Sequence, residues 1–171
     1  SNVADMSDMF ENADAMNQSK PKPVDIHVRS DSNIKAAVNA WCDDRAAAEA
    51  KYGHISGWNV SAVTDMSGAF LSKSAFNENI DNWDVSIVTD MSDMFNGCSA
   101  FNQTLNKWKT SSVTVMSNMF NGCSSFNKPL NAWDVTNVTV MNGMFSGCDV
   151  FNKTLNNWTV SNVTDMSNMF N

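Results

Sequence analysis

Residues 83–102 read Trp83-Asp84-Val85-Ser86-Ile87-Val88-Thr89-Asp90-Met91-Ser92-Asp93-Met94-Phe95-Asn96-Gly97-Cys98-Ser99-Ala100-Phe101-Asn102. The same run returns every 25 residues. Trp58, Trp83, Trp108, Trp133 and Trp158 keep that interval without a slip. Val63, Val88, Val113, Val138 and Val163 follow five residues after each Trp, and Met66, Met91, Met116, Met141 and Met166 follow at eight. Phe70, Phe95, Phe120, Phe145 and Phe170 come at twelve, with Phe76, Phe101, Phe126 and Phe151 at eighteen. A fixed period of this length is the signature of a stacked repeat, since one unit has too few apolar side chains to offset its own ordering. The expectation is an α/β solenoid of leucine-rich-repeat type built from 25-residue coils.

Within a coil the pattern suggests two elements. Leu105-Asn106-Lys107-Trp108-Lys109-Thr110 and Leu130-Asn131-Ala132-Trp133-Asp134-Val135 have the L-x-x-L-x-L spacing of a leucine-rich-repeat strand. Alternation along a strand sends Trp133 and Val135 inward and Asp134 outward. Thr89 then suits a helix N-cap, and Met91, Met94 and Phe95 fall at i, i+3 and i+4 on one face. Gly97 supplies a left-handed stop. Each coil is therefore expected to hold a short parallel strand and, opposite it, a short helical turn.

The amino half departs from this period. Residues 1–10 match residues 161–170 almost letter for letter, so residues 1–18 read as a partial coil, the end of a preceding array or a stacking segment. Residues 19–32 read as a linker, Lys20-Pro21-Lys22-Pro23 being stiff and extended and Val24, Ile26 and Val28 alternating as a short strand does. Asp31 or Ser32 caps a helix with Ile34, Val38 and Trp41 on one face, and Asp43 or Asp44 restarts a second helix that ends near Gly53. Residues 33–54 are thus a helical cap, the device that covers the first apolar coil. Residues 55–171 form the solenoid of about 4.5 coils.

The run at residues 83–102 resembles the repeat of the BspA-like leucine-rich-repeat surface proteins, a unit also found in mycoplasma-type surface lipoproteins. Ile34-Lys35 through Trp41, leading to Tyr52-Gly53-His54-Ile55-Ser56, is similar to the helical lead-in of such arrays. The resemblance implies an extracellular or cell-surface location and a role in adhesion or binding. It implies no catalytic residue. The coil at residues 58–82 departs from the pattern, with Ala69 for Met and Ser72-Lys73 for Gly-Cys.

Composition narrows the function classes. The 171 residues carry a formal net charge of −7 and only 17% charged residues. An acidic chain lacks the basic stripe that neutralises phosphates, so no nucleic-acid partner is expected. No run of apolar residues is long enough for a membrane span. Twelve Met, ten Phe and six Trp imply extensive burial rather than disorder. All ten Phe fall in two phases of the repeat and eleven of the twelve Met in two others, which makes them core residues and not copper ligands.

Cys98, Cys123 and Cys148 share one phase and stack on successive coils. They suit a column of free thiols, with one coil-to-coil disulfide as the alternative. Cys42 is expected in the cap, away from that column. No C-x-x-C or paired His spacing supports a metal, and no cofactor is expected. His27 and His54 have no nucleophile or carboxylate at diagnostic spacing, so no catalytic residue is assigned and the chain reads as non-enzymatic. The columns of Asn77, Asn102, Asn127 and Asn152 and of Asn106, Asn131 and Asn156 suit amide bonding between coils. Asn-x-Ser/Thr sequons at Asn17, Asn59, Asn102, Asn137, Asn152, Asn157 and Asn162 are glycosylation acceptors if the chain passes through a eukaryotic secretory route.

The outward strand phase holds Asn59, Asp84, Lys109, Asp134 and Thr159, the candidate contacts for a protein or glycan partner. Two alternatives stand beside adhesion. One is a fibre or filament module formed by head-to-tail stacking of coils. The other, remote, is ice binding through the column Thr64, Thr89, Thr114, Thr139 and Thr164, each of which is better explained as a helix N-cap.

Overall fold

In the computed structural model, residues 28–171 are described. The partial coil at 1–18, the linker through residue 27 and the sequon at Asn17 lie outside them. Strand β1 (Val28–Ser30) pairs in parallel with β2 (Asn59–Ala62), Val28 opposite Asn59 and Ser30 opposite Ala62. Between them stand two helices, α1 (Ile34–Asp43) and α2 (Arg45–Tyr52). Helix α1 buries Ile34, Ala37, Val38 and Trp41, a face spaced at i, i+3, i+4 and i+7. Its N-cap is Asn33, with no side-chain cap bond, whereas Asp31 or Ser32 was expected there. Asp44 caps α2 by accepting from the Ala47 amide, and Gly53, at φ 72°, follows its end.

Asp31 is engaged elsewhere. Its carboxylate accepts from Thr64 N (2.7 Å), Thr64 Oγ1 (2.6 Å) and Asp65 N (3.0 Å). In later coils the corresponding Thr N–H and Oγ1 donate to the carbonyl of the preceding coil's Thr, as Thr89 does to Thr64. Asp31 thus stands where a preceding coil's carbonyl would be, and three donated bonds, led by the Thr64 hydroxyl, hold its carboxyl below the usual carboxylate range. A lowered carboxylate stabilises the fold above its unfolded value and loses that contribution as pH falls through its folded value. Asp31→Ala is expected to speed amide hydrogen exchange at Thr64 and Asp65 and leave Thr114 unchanged. Equal protection at all three would contradict this role.

The 25-residue coils begin at Trp58 and stack through one recurring set of backbone bonds. At the junction of coils 83–107 and 108–132, the N–H groups of Met91, Asp93, Phe95 and Gly97 donate to the carbonyls of Val115, Ser117, Met119 and Asn121 at 2.7–3.0 Å. The same four positions bond at each of the other junctions, and Thr114 N returns a bond to Thr89 O at 2.8 Å. Parallel bridges link Asp65, Asp90, Val115, Val140 and Asp165 in turn. The intervening residues Met94, Asn96 and Cys98 donate three residues back, to Met91, Asp93 and Phe95.

This pattern corrects two expectations. Thr89 to Gly97 is not a helical turn but a succession of tight turns whose alternate N–H groups point at the next coil. The cause is a left-handed residue ten positions after each Trp: Gly68, Asp93, Asn118, Gly143 and Asn168 all have positive φ, which ends an α-helix before it starts. The Thr residues therefore cap no helix. The second correction concerns the strand, since Leu105 to Thr110 and Leu130 to Val135 are turn and irregular backbone. Among the described residues, the only strand in this phase is β2, paired with β1.

The core is a set of side-chain columns. Phe70, Phe95, Phe120 and Phe145 stack with ring centroids 5.2–5.8 Å apart, and Phe76, Phe101, Phe126 and Phe151 at 5.9 Å. Each Trp adds a bond that Leu cannot make. The indole N–H of Trp83, Trp108, Trp133 and Trp158 donates to the carbonyl of Ile55, Ile80, Leu105 and Leu130, at 2.9–3.1 Å. At the capped end Trp58 donates to Gly53 O instead. The Arg29 guanidinium lies over both Trp58 and Tyr52.

Cys98, Cys123 and Cys148 are free, and each thiol donates to a Phe carbonyl of the preceding coil at 3.0–3.1 Å. Burial pushes Cys98 and Cys148 up to about 12 and raises Cys123 further. Cys42 is free and half-buried in α1, and burial raises its thiol as well. Raised thiol values contribute stability that is present at neutral pH and lost as pH rises above the ordinary 9.0. Iodoacetamide at pH 8 is therefore expected to spare Cys98 and Cys123 in the native chain and label both in urea.

Candidate functional site

Turn chemistry fixes the outward column. Asn59, Asp84, Lys109, Asp134 and Thr159 are all exposed, while Trp83, Trp108 and Trp133 beside them are buried. Asn59, Asp84 and Asp134 each accept, through Oδ1, the N–H two residues on, from Ser61 (3.1 Å), Ser86 (3.1 Å) and Thr136 (3.0 Å). These are local side-chain turns, so three of the five candidates hold their own coil in shape. The neighbouring hydroxyl and amide of Ser86 or Thr136 hold the carboxyls of Asp84 and Asp134 below the usual range. Lys109 adds a smaller electrostatic pull on Asp84.

On this side the coils meet through side chains, as where Lys107 N donates to Asp81 Oδ1 and Asn157 N to Asn131 Oδ1. Gaps remain between coils. A groove of about 240 Å³ is lined by Asp84, Ser86, Asn82, Lys107 and Lys109, and an adjoining groove of about 370 Å³ by Lys107, Lys109, Thr110, Ser111 and Asp134. The structure thus brings Asp84, Lys109 and Asp134 together around two grooves. Asn59 and Thr159 line neither.

Two residues of this site escaped the sequence reading, Lys107 and Thr110. Their signal is departure from the repeat. Residues 108–110 occupy the positions of Trp83-Asp84-Val85 and Trp133-Asp134-Val135, but as Trp108-Lys109-Thr110 with Lys107 in front. Thr110 is only 1% exposed, and its hydroxyl donates to Asp134 O at 2.9 Å, tying the lysine-bearing coil to the next. The Lys107 ammonium donates to Asn82 Oδ1 at 2.8 Å.

The other candidates are placed as follows. The Thr64–Thr164 column is exposed, and from Thr89 onward each hydroxyl donates to the preceding Thr carbonyl at 3.0–3.2 Å. Among the sequons, Asn59, Asn137, Asn152, Asn157 and Asn162 are exposed and Asn102 is half-buried. The side-chain amides of Asn137 and Asn162 donate to Ser111 O and Thr136 O. Asn102, Asn127 and Asn152 each donate a backbone N–H to the Asn Oδ1 one coil earlier. A groove of about 370 Å³ at the cap, beside Trp41 and Phe76, is walled by the ion pairs Arg45–Glu78 (2.6 Å) and Lys73–Asp43 (3.6 Å). Among the described residues no group of three or more His, Cys, Asp or Glu is placed to hold a metal ion. No helix there is long and apolar enough to cross a membrane.

The family model described as "Mycoplasma protein of unknown function, DUF285" matches residues 1–42, 42–139 and 104–171. The chain belongs to this family. No curated protein and no solved structure matches it.

Proposed function

We propose that this chain is a non-enzymatic, extracellular or cell-surface repeat protein, a leucine-rich-repeat-like solenoid that binds protein or glycan partners through its outward face. The observation that carries this reading is the exposed register of Asp84, Lys109 and Asp134 around two adjoining grooves. Membership of the Mycoplasma family and the resemblance to BspA-like surface proteins support the location. The test is binding to arrayed glycans and extracellular-matrix proteins. Alanine at Asp84, Lys109 and Asp134 together is expected to abolish whatever binding the native chain shows, while Lys128→Ala with Lys153→Ala leaves it intact. Unchanged binding in the triple variant rejects this face.

A second reading, end-to-end stacking into filaments, is favoured by the near letter-for-letter match of residues 1–10 with residues 161–170, which makes the array itself recur. Sizing of the 171-residue chain against concentration tests it, a strict monomer at high concentration rejecting the reading.

A further inference from the structure

We propose that the two grooves around Lys109 form one site for an acidic saccharide, whose carboxylate is taken by Lys107 and Lys109 and whose hydroxyls donate to Asp84 and Asp134. This rests on the outward face being the binding face. Three observations carry it. First, neither lysine is in an ion pair among the described residues. Yet both stand on a chain of net charge −7, where general attraction of anions is absent. Lys107 Nζ donates only to the neutral Asn82 Oδ1, and Asp84 and Asp134 each commit Oδ1 to their own coil's turn, with Asp81 also lining the first groove.

Second, the turn at Asp134 leaves an acceptor free. The Oδ2 of Asp134 accepts no hydrogen bond among the described residues, since the Thr136 amide and hydroxyl both go to Oδ1. Cations in the middle and oriented acceptors on both sides suit a ligand with a carboxylate flanked by hydroxyl donors. The bond from Thr110 to Asp134 O fixes the second acceptor relative to Lys109, which lowers the cost of ordering the site on binding.

Third, the face lacks what a protein partner uses. Protein interfaces are anchored by exposed aromatic residues and Arg, and are poor in Lys and Asp. Here Trp83, Trp108 and Trp133 are 2–3% exposed, and the grooves present Lys, Asp, Asn and Ser.

The test is calorimetric titration of the native chain with a galacturonate tetrasaccharide, its methyl ester and a pentaglutamate peptide. The tetrasaccharide is expected to bind and the ester to bind at least tenfold more weakly. Lys107→Ala with Lys109→Ala is expected to lose at least tenfold with unchanged urea unfolding. Asp84→Asn with Asp134→Asn is the sharper variant, because Asn keeps both turns while removing two negative charges. Hydroxyl recognition predicts severalfold weaker binding, and a mere electrostatic sink predicts tighter binding, which overturns the proposal. Pentaglutamate binding as tightly as the tetrasaccharide overturns it too, in favour of acidic peptides. If no saccharide binds while the triple alanine variant still loses its arrayed partners, the acidic-saccharide assignment fails and the face reading stands.

Discussion

Trp108→Ala is expected to cost about 3–5 kcal/mol in urea unfolding, the range for deleting a large buried ring. Trp108 is 3% exposed and stacks on Trp133 with centroids 6.1 Å apart. Its indole N–H donates to Ile80 O at 3.1 Å, so the variant leaves both a cavity and an unpaired buried carbonyl. Stability in a stacked array is a sum of unit and nearest-neighbour contributions, and Trp108 has a coil on each side. In the 171-residue chain Trp158 is half-buried and is expected to cost less than half as much. Trp108→Phe separates the two contributions, because it keeps most of the ring and loses only the donor. Equal costs at Trp108 and Trp158 would contradict the stacked arrangement.

Asn118→Val is expected to cost about 2–3 kcal/mol, against a change within about 0.5 kcal/mol for Asn118→Gly. Asn118 has φ 53°, a left-handed conformation that Gly and Asn tolerate and a β-branched residue does not. It cannot relax out of that conformation without breaking the ladder. Its N–H donates to Asn142 O at 2.8 Å, and its carbonyl accepts from Asn121 N at 3.0 Å. The next coil presses on it as well, since a Cβ added at Gly143 would run into Asn118 Oδ1. Paired urea curves for the two variants check this, and a harmless Val would argue for a helical conformation at Met116 to Gly122.

These two residues also mark how far the sequence could be read. Trp108 is legible because its 25-residue interval never slips, and a constant interval has no compact explanation other than stacking. Why the seat holds Trp is not legible, since the indole bond to Ile80 O depends on where the previous coil's backbone lies. Asn118 was open to reading but misled. Met91, Met94 and Phe95 fall on one side whether the backbone is a helix or a run of i to i+3 turns, so apolar spacing could not decide between them. The column of Gly68, Asp93, Asn118, Gly143 and Asn168 could have. Each is a residue type that accepts positive φ, and five in register argue for a left-handed position rather than a helix.

The site divides in the same way. Alternation placed Asp84, Lys109 and Asp134 outward, and they are exposed. The grooves between them are gaps between coils, which no single coil encodes. Lys107 and Thr110 line them because one coil departs from the consensus, and departures stand out only once the coils are set side by side. Asp31 was missed for a related reason. Its partners Thr64 and Asp65 lie in the first coil, and a helix-capping residue type beside a helix invited a local assignment.

The most direct test of the stacked arrangement is scalar coupling across hydrogen bonds, measured by NMR on the 171-residue chain. It predicts couplings from the amide nitrogens of Met91, Asp93, Phe95 and Gly97 to the carbonyl carbons of Val115, Ser117, Met119 and Asn121, 24 residues ahead. Couplings from those amides to carbonyls four residues back, the mark of a helix, would contradict it.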